Sequence, residues 1–168
     1  MTPGVHRPMH LRWSSIALVF VGGAIGTGLR EAVSLAIPAV GGVPVAIFCI
    51  NVSGAFALGL LLETLLRRGP NEGVRRGIRL FVGTGVLGGF TTYSALANDT
   101  ELLFRDGQGW VGAGYAVATV IVGGFASLLG IWVGGVIGRS RDARGAGDAG
   151  SAGDAGSAGA AIDGGQAS

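Results

Sequence analysis

Four long stretches of this chain carry no charge, and the short segments between them hold most of its polar residues. The charge-free runs span residues 13–29, 43–62, 80–97 and 110–138. A helix needs roughly 17–25 predominantly apolar residues to cross the hydrocarbon of a bilayer. Each run reaches or approaches that length. A helix at the surface of a soluble domain would carry charges along its outward face, and none of these does. The pattern predicts an all-α membrane protein with four transmembrane helices. The first is expected over 13–37, with Arg30 and Glu31 near its far end. The second runs from Val45 to about Arg68, the third begins near Val74, and the fourth extends from about Trp110 to about Arg139. Turn-rich segments at 38–44 and 69–71 separate them. Arg7 and Arg12 precede an apolar stretch in the manner of a signal peptide. No small-residue cleavage site leading to a soluble domain follows, so the stretch reads as a membrane helix.

This pattern divides the chain into a basic N-terminal arm at 1–12, a four-helix membrane domain at 13–138 and a tail at 139–168. In the tail the composition collapses into Gly, Ala, Ser and Asp, and GDAGSA occurs twice in succession. Such a segment buries too little apolar surface to offset chain entropy and is expected to be disordered. Glycine supplies 34 of the 168 residues. Gly22 and Gly26, and then Gly130, Gly134 and Gly138, stand four residues apart, the spacing that lets membrane helices approach closely. The twelve basic residues are all Arg, and the net charge of +2 gives no reason to expect nucleic acid as a partner. The single Cys49 can form no intramolecular disulfide. His6 and His10 lie in the arm as solvated side chains, and no catalytic constellation is present. The chain is therefore not expected to be an enzyme.

Two polar islands interrupt the apolar runs. The first, GTGVLGGFTTYS at 83–94, opens with the spacing of a dinucleotide-binding loop. That motif works only between a strand and a helix of a βαβ unit, and no such unit surrounds it. The alternative is a helix broken inside the membrane. Gly88 and Gly89 free the backbone, and Thr91, Thr92 and Ser94 supply hydroxyls to satisfy it. Non-helical backbone at membrane depth persists only where it is buried in protein or lines a watery cavity. Such a break suggests an ion site, with a simple packing kink as the other reading. The second island is Asn51, within FCINVSGAF. A membrane-buried amide is costly without a partner. It either meets an ion or bonds a neighbouring helix, and Ser53 has the same two options.

Together these residues resemble the Fluc/CrcB family of fluoride channels over about 13–138. GGAIGTGLR (22–30) looks like the family's glycine-rich first helix ending in Arg. INVSGAFALGLL (50–61) looks like its V-N-x-x-G-[AS]-F-x-x-G second helix. GVLGGFTTYS (85–94) looks like its third-helix break, and FASLLG (125–130) its small-polar last helix. The resemblance implies an antiparallel dimer with two fluoride pores and a structural, untransported sodium ion (Na+) at its centre. Main-chain oxygens of Gly88 and Thr91 would hold that ion. Asn51 matches the pore-lining asparagine. Thr92, Tyr93, Ser94 and Ser127 fall on the polar side of the anion pathway, and Arg30 matches a vestibule charge. Two positions depart from the pattern. Leu96 stands where the family has a second phenylalanine, and Ile47 where it has a threonine. A pore built partly from this chain is expected to be degraded at those positions.

The implied function is passive export of fluoride across the bacterial inner membrane. One alternative is a non-conducting subunit of a heterodimeric channel. Another is a small multidrug transporter, which needs a membrane-embedded carboxylate, usually in helix 1. Here Glu31, Glu63, Asp99 and Glu101 read as lying near helix ends. Orientation follows from the arginines. Ten lie on the side shared by the arm, the 2–3 loop and the tail, against Arg30 and Arg105 opposite. Such a bias sets a fixed topology, with both termini expected in the cytoplasm. An antiparallel assembly then calls for an oppositely oriented homologous subunit, so a heterodimer is favoured and a homodimer is the alternative.

Overall fold

The computed structural model describes residues 13–67 and 73–163, with side chains described as far as Arg139. The arm at 1–12 lies outside the described residues. Helix α1 spans Trp13–Ala36 and α2 spans Val45–Leu66. The third span is composite: α3 (Gly73–Ile78), a π-helical stretch (Arg79–Leu87), α4 (Gly88–Phe90) and α5 (Tyr93–Arg105). The last helix, α6, runs over Gly109–Asp163. Four spans are long and apolar enough to cross a membrane: Trp13–Ala36, Val45–Leu66, Gly73–Arg105 and Gly109–Arg139. This is the all-α, four-span architecture that the charge-free runs predict.

The membrane-length part of α6 ends at Arg139, but its backbone does not. It continues as helix to Asp163, through the segment whose composition predicts no fixed structure. What the tail side chains do lies outside the described residues.

A tight turn joins α1 and α2. Between α1 and α2, the Val40 and Val43 backbones bond each other in both directions at 3.0 Å. Gly41 (φ 61) and Gly42 (φ 84) turn the chain between them. Both lie in the left-handed region, which glycine enters without steric cost.

Packing relies on backbone contact more than on side chains. A Cβ placed on Gly22 would strike the Phe81 carbonyl oxygen, and one on Gly26 the Val86 oxygen. One on Gly89 would strike the Gly23 oxygen. Gly22 and Gly26 therefore meet successively later residues of the third span, so α1 and that span run parallel. The second pair behaves alike. A Cβ on Gly59 would strike the Ser127 oxygen, one on Gly130 the Phe56 oxygen, and Gly138 abuts Arg67. Without a hydrophobic drive between helices in lipid, such close approach is what holds them. Side chains fill one small core of Ile47, Ile50, Leu96, Leu103 and Tyr115, where α2, α5 and α6 meet. Large apolar side chains such as Phe20, Phe125 and Trp132 project outward at 76%, 68% and 63% exposure. That surface suits lipid or a second subunit.

Candidate functional site

The third span is interrupted at two residues. Thr91 (φ −76, ψ 151) and Thr92 (φ −150, ψ 119) are extended, and helix resumes at Tyr93. The double glycine, expected to free the backbone, is not itself the break. Gly88 and Gly89 are helical, within α4. Gly89 is needed for close approach to α1, while a Cβ on Gly88 would meet nothing within 4 Å.

Asn51, about two turns into α2, holds the break. Its Oδ1 accepts from the Thr92 amide at 2.9 Å, and its Nδ2 donates to the Thr92 carbonyl at 3.1 Å. One amide side chain thus satisfies both backbone groups of a single residue. A turn further along α2, Gly54 leaves room for the Thr91 methyl, which sits where a Cβ would be. Asn51 and Gly54 at i and i+3 share one helix face, and that face is shaped to the break. The threonines complete the local bonding. Thr91 Oγ1 donates to the Leu87 carbonyl at 2.9 Å, alongside the Thr91 amide at 3.0 Å. Thr92 Oγ1 caps α5 by accepting from the Ala95 amide at 3.2 Å and lies 3.1 Å from Ser94 Oγ.

An extended pair between two helical segments has a polarity. In a continuous helix the Gly88 carbonyl would accept from the Thr92 amide, but that amide is given to Asn51. The α4 end therefore presents carbonyl oxygens and the negative end of a helix dipole. The α5 start presents amides and the positive end.

The candidate residues fall into groups. Asn51, Thr91, Thr92 and Ser94 come together at the break. Tyr93 joins them but points outward, 82% exposed, and Gly88 is exposed too. Arg30, half-buried, lies one turn past Gly26, which packs on Phe90, and so stands at the level of the break. Ser127 is not brought there. It packs against Gly59, about 12 Å beyond Asn51 along α2 at 1.5 Å per residue. Ser53 bonds within its own helix, to the Cys49 and Ile50 carbonyls at 2.6 and 3.2 Å.

The positions that depart from the family pattern lie in the core. Ile47 and Leu96, 9% and 7% exposed, belong to the same buried cluster. Ile47→Thr replaces a buried ethyl group with a hydroxyl that its own helix can satisfy. We expect this substitution to destabilise the subunit by about 2 kcal/mol, measured as a lowered unfolding temperature in detergent.

Asp99, which reads from the sequence as lying near a helix end, is half-buried, and Tyr115, which nothing in the sequence singles out, is buried. Asp99 lies inside the third span, and its Oδ2 is buried without a hydrogen-bond partner. On α5 it lies between Leu96 and Leu103, both in the cluster with Tyr115. Tyr115 donates its hydroxyl to the Pro44 carbonyl at 3.3 Å, and Thr119 Oγ1 donates to the Tyr115 carbonyl at 2.7 Å. The available signal was spacing. Asp99 stands three residues after Leu96 and four before Leu103, on one face of α5. No group of three or more potential metal-ligating side chains occurs among the described residues.

Residues 17–131 match the model of a family described as "CrcB-like protein, Camphor Resistance (CrcB)". The chain is 54% identical over 134 residues to "Fluoride-specific ion channel FluC 2" of Leifsonia xyli subsp. xyli, covering 80% of this chain and 92% of that one. It is 46% identical over 109 residues to "Fluoride-specific ion channel FluC 1" of Cutibacterium acnes, covering 64% of this chain and 76% of that one. To "Fluoride-specific ion channel FluC" of Mesorhizobium japonicum it is 42% identical over 121 residues, covering 71% and 94%. With its four spans and a matched segment that includes the break and Asn51, this multi-pass membrane chain belongs to the CrcB family.

Proposed function

We propose that this chain is a subunit of a fluoride-specific channel that lets fluoride leave the cytoplasm passively across the bacterial inner membrane. The observation that carries the reading is the pairing of Asn51 with both backbone groups of Thr92, in a chain of this family. Fluoride is small and strongly hydrated, so a pathway for it must replace water with fixed donors. The α5 start supplies a positive dipole end and the Thr92 and Ser94 hydroxyls. The Asn51 amide keeps one N–H beyond the one given to Thr92. Tyr93 offers a ring edge, whose rim is electropositive. Arg30 supplies a nearby charge that raises the local anion concentration. Ser127 stands further along the route.

The carbonyl end of the break fits a structural sodium ion. Gly88 and Thr91 main-chain oxygens would hold it, fixing positive charge beside the anion route without being transported. Asn51 supports this by taking the Thr92 amide away from the Gly88 oxygen. Gly88 faces out of the subunit, so carbonyls from a second subunit can complete the shell.

That subunit is an oppositely oriented homologue. Among the described residues, Arg67, Arg75, Arg76, Arg79 and Arg139 lie toward one end of the bundle and Arg30 and Arg105 toward the other. The bias favours one insertion, with the termini cytoplasmic, and hence a heterodimer over a homodimer. A second reading, a non-conducting partner subunit, draws on the burial of Ile47 and Leu96 in the core.

The test uses a bacterial strain without its own fluoride exporter. Co-expression of this chain with an oppositely biased homologue is expected to restore growth in fluoride. A tag at the C-terminus of this chain should be found on the cytoplasmic face alone. Growth restored by the homologue without this chain would reject a conducting role. Tags on both faces, with rescue by this chain alone, would reject the heterodimer.

A further inference from the structure

At the arginine-rich end of the bundle, an open groove of about 420 Å³ runs along the outer surface between α1 and the third span. Ser15 and Arg76 line one end of it. Ile16, Val19, Phe20 and Leu80 line the rest. The two helices are parallel here, so residues with rising numbers lie deeper in the membrane on both. Trp13, 77% exposed, starts α1 just above the groove. Aromatic residues of this kind settle at the headgroup level of a bilayer. The mouth, with its guanidinium and hydroxyl, thus stands at headgroup depth, and the apolar floor descends into hydrocarbon. Arg75 is the neighbour of Arg76 in sequence and adds positive charge at the same level, and Arg79 adds more about a turn deeper.

We infer that this groove binds an anionic phospholipid, its phosphate at Arg76 and Ser15 and its acyl chain along Ile16, Val19, Phe20 and Leu80. Charge complementarity and depth decide the occupant. A soluble anion would have no use for the apolar floor, and a neutral lipid would gain little from the arginine. An anionic lipid uses both, and a guanidinium matches a phosphate in two-pronged geometry. The site also pins the end of α1 against the third span, beside the crossing where Gly22 meets Phe81.

The inference is tested by native mass spectrometry on the full chain, purified with equal phosphatidylglycerol and phosphatidylcholine. The wild type is expected to retain phosphatidylglycerol preferentially. Arg76→Gln should lower that preference roughly fivefold, the worth of one arginine near an anionic surface. Ile16→Trp, which fills the groove and keeps every charge, should lower it comparably. Arg139→Gln, at the same end but outside the groove, should leave it unchanged. Excess glycerol phosphate should displace nothing. Equal losses in Arg76→Gln and Arg139→Gln would mean diffuse surface charge and overturn the site. Displacement by glycerol phosphate would make it a phosphate site instead. Absence of retained phosphatidylglycerol in the wild type would mean that another surface, such as a second subunit, covers the groove. Lipid retention is read independently of ion flux, so failure here leaves the channel reading untouched.

Discussion

Asn51→Leu is expected to abolish fluoride flux. Leucine matches asparagine in shape but makes neither bond to Thr92, leaving a buried amide and carbonyl without partners. Each orphaned group costs about 1–3 kcal/mol. The Thr92 amide has one obvious escape, the Gly88 carbonyl four residues back. Taking it extends α4 and erases the opening that sets a carbonyl end against an amide end. At roughly 1.4 kcal/mol per tenfold, two lost bonds place the fall in flux at about 100-fold or more. The whole bundle should still form, because the glycine crossings do not involve Asn51. The check is fluoride efflux from vesicles beside size-exclusion of the purified protein. Ser53→Ala is the companion. Its hydroxyl bonds only its own helix, so its flux should stay close to wild type. Wild-type flux in Asn51→Leu would confine Asn51 to helix packing.

Gly26→Ala should have the largest effect on folding. The added carbon falls on the Val86 carbonyl oxygen, and the Phe90 amide stands 2.9 Å from it. Both obstacles are backbone, so no rotamer change relieves the clash. The helices must separate, and the contacts at Gly22, Gly85 and Gly89 part with them. Overpacking a fitted interior costs typically about 1–3 kcal/mol and occasionally more. A crossing made wholly of backbone belongs at the upper end or beyond. The readout is the yield of monodisperse protein and its unfolding temperature in detergent. Gly77→Ala is the contrast. It sits on α3 with nothing within 4 Å, and it should hold or raise stability by up to about 1 kcal/mol through helix propensity. Equal behaviour of the two variants would refute the packing account.

The sequence made the four spans legible because lipid tolerates so little charge. Asn51 was legible for the same reason, since an amide in an apolar run needs a partner. Its partner was not. Thr92 is forty-one residues away; its polar island is visible in the sequence, but nothing local ties it to Asn51. The double glycine misled for a physical reason. Glycine both frees a backbone and lets two backbones touch, and at Gly89 the second use applies. The complementary spacing of Gly22 and Gly26 with Gly85 and Gly89 was the sign that these two helices cross. Ile47 and Leu96 read separately as losses from a pore. Only the folded chain places them in one cluster, where each fills space beside the other. Asp99 reads as terminal because the charge-free run stops at residue 97, whereas α5 carries the span to Arg105.

The central claim, that this chain helps conduct fluoride selectively, is tested most directly by efflux from vesicles. The purified chain is reconstituted with an oppositely biased homologue in vesicles loaded with potassium fluoride and potassium chloride. Valinomycin then opens a path for potassium, and ion-selective electrodes follow both anions. The expected result is rapid release of fluoride while chloride stays inside, with the fluoride release lost in Asn51→Leu. Retention of fluoride, or release of chloride at a matching rate, would contradict the account.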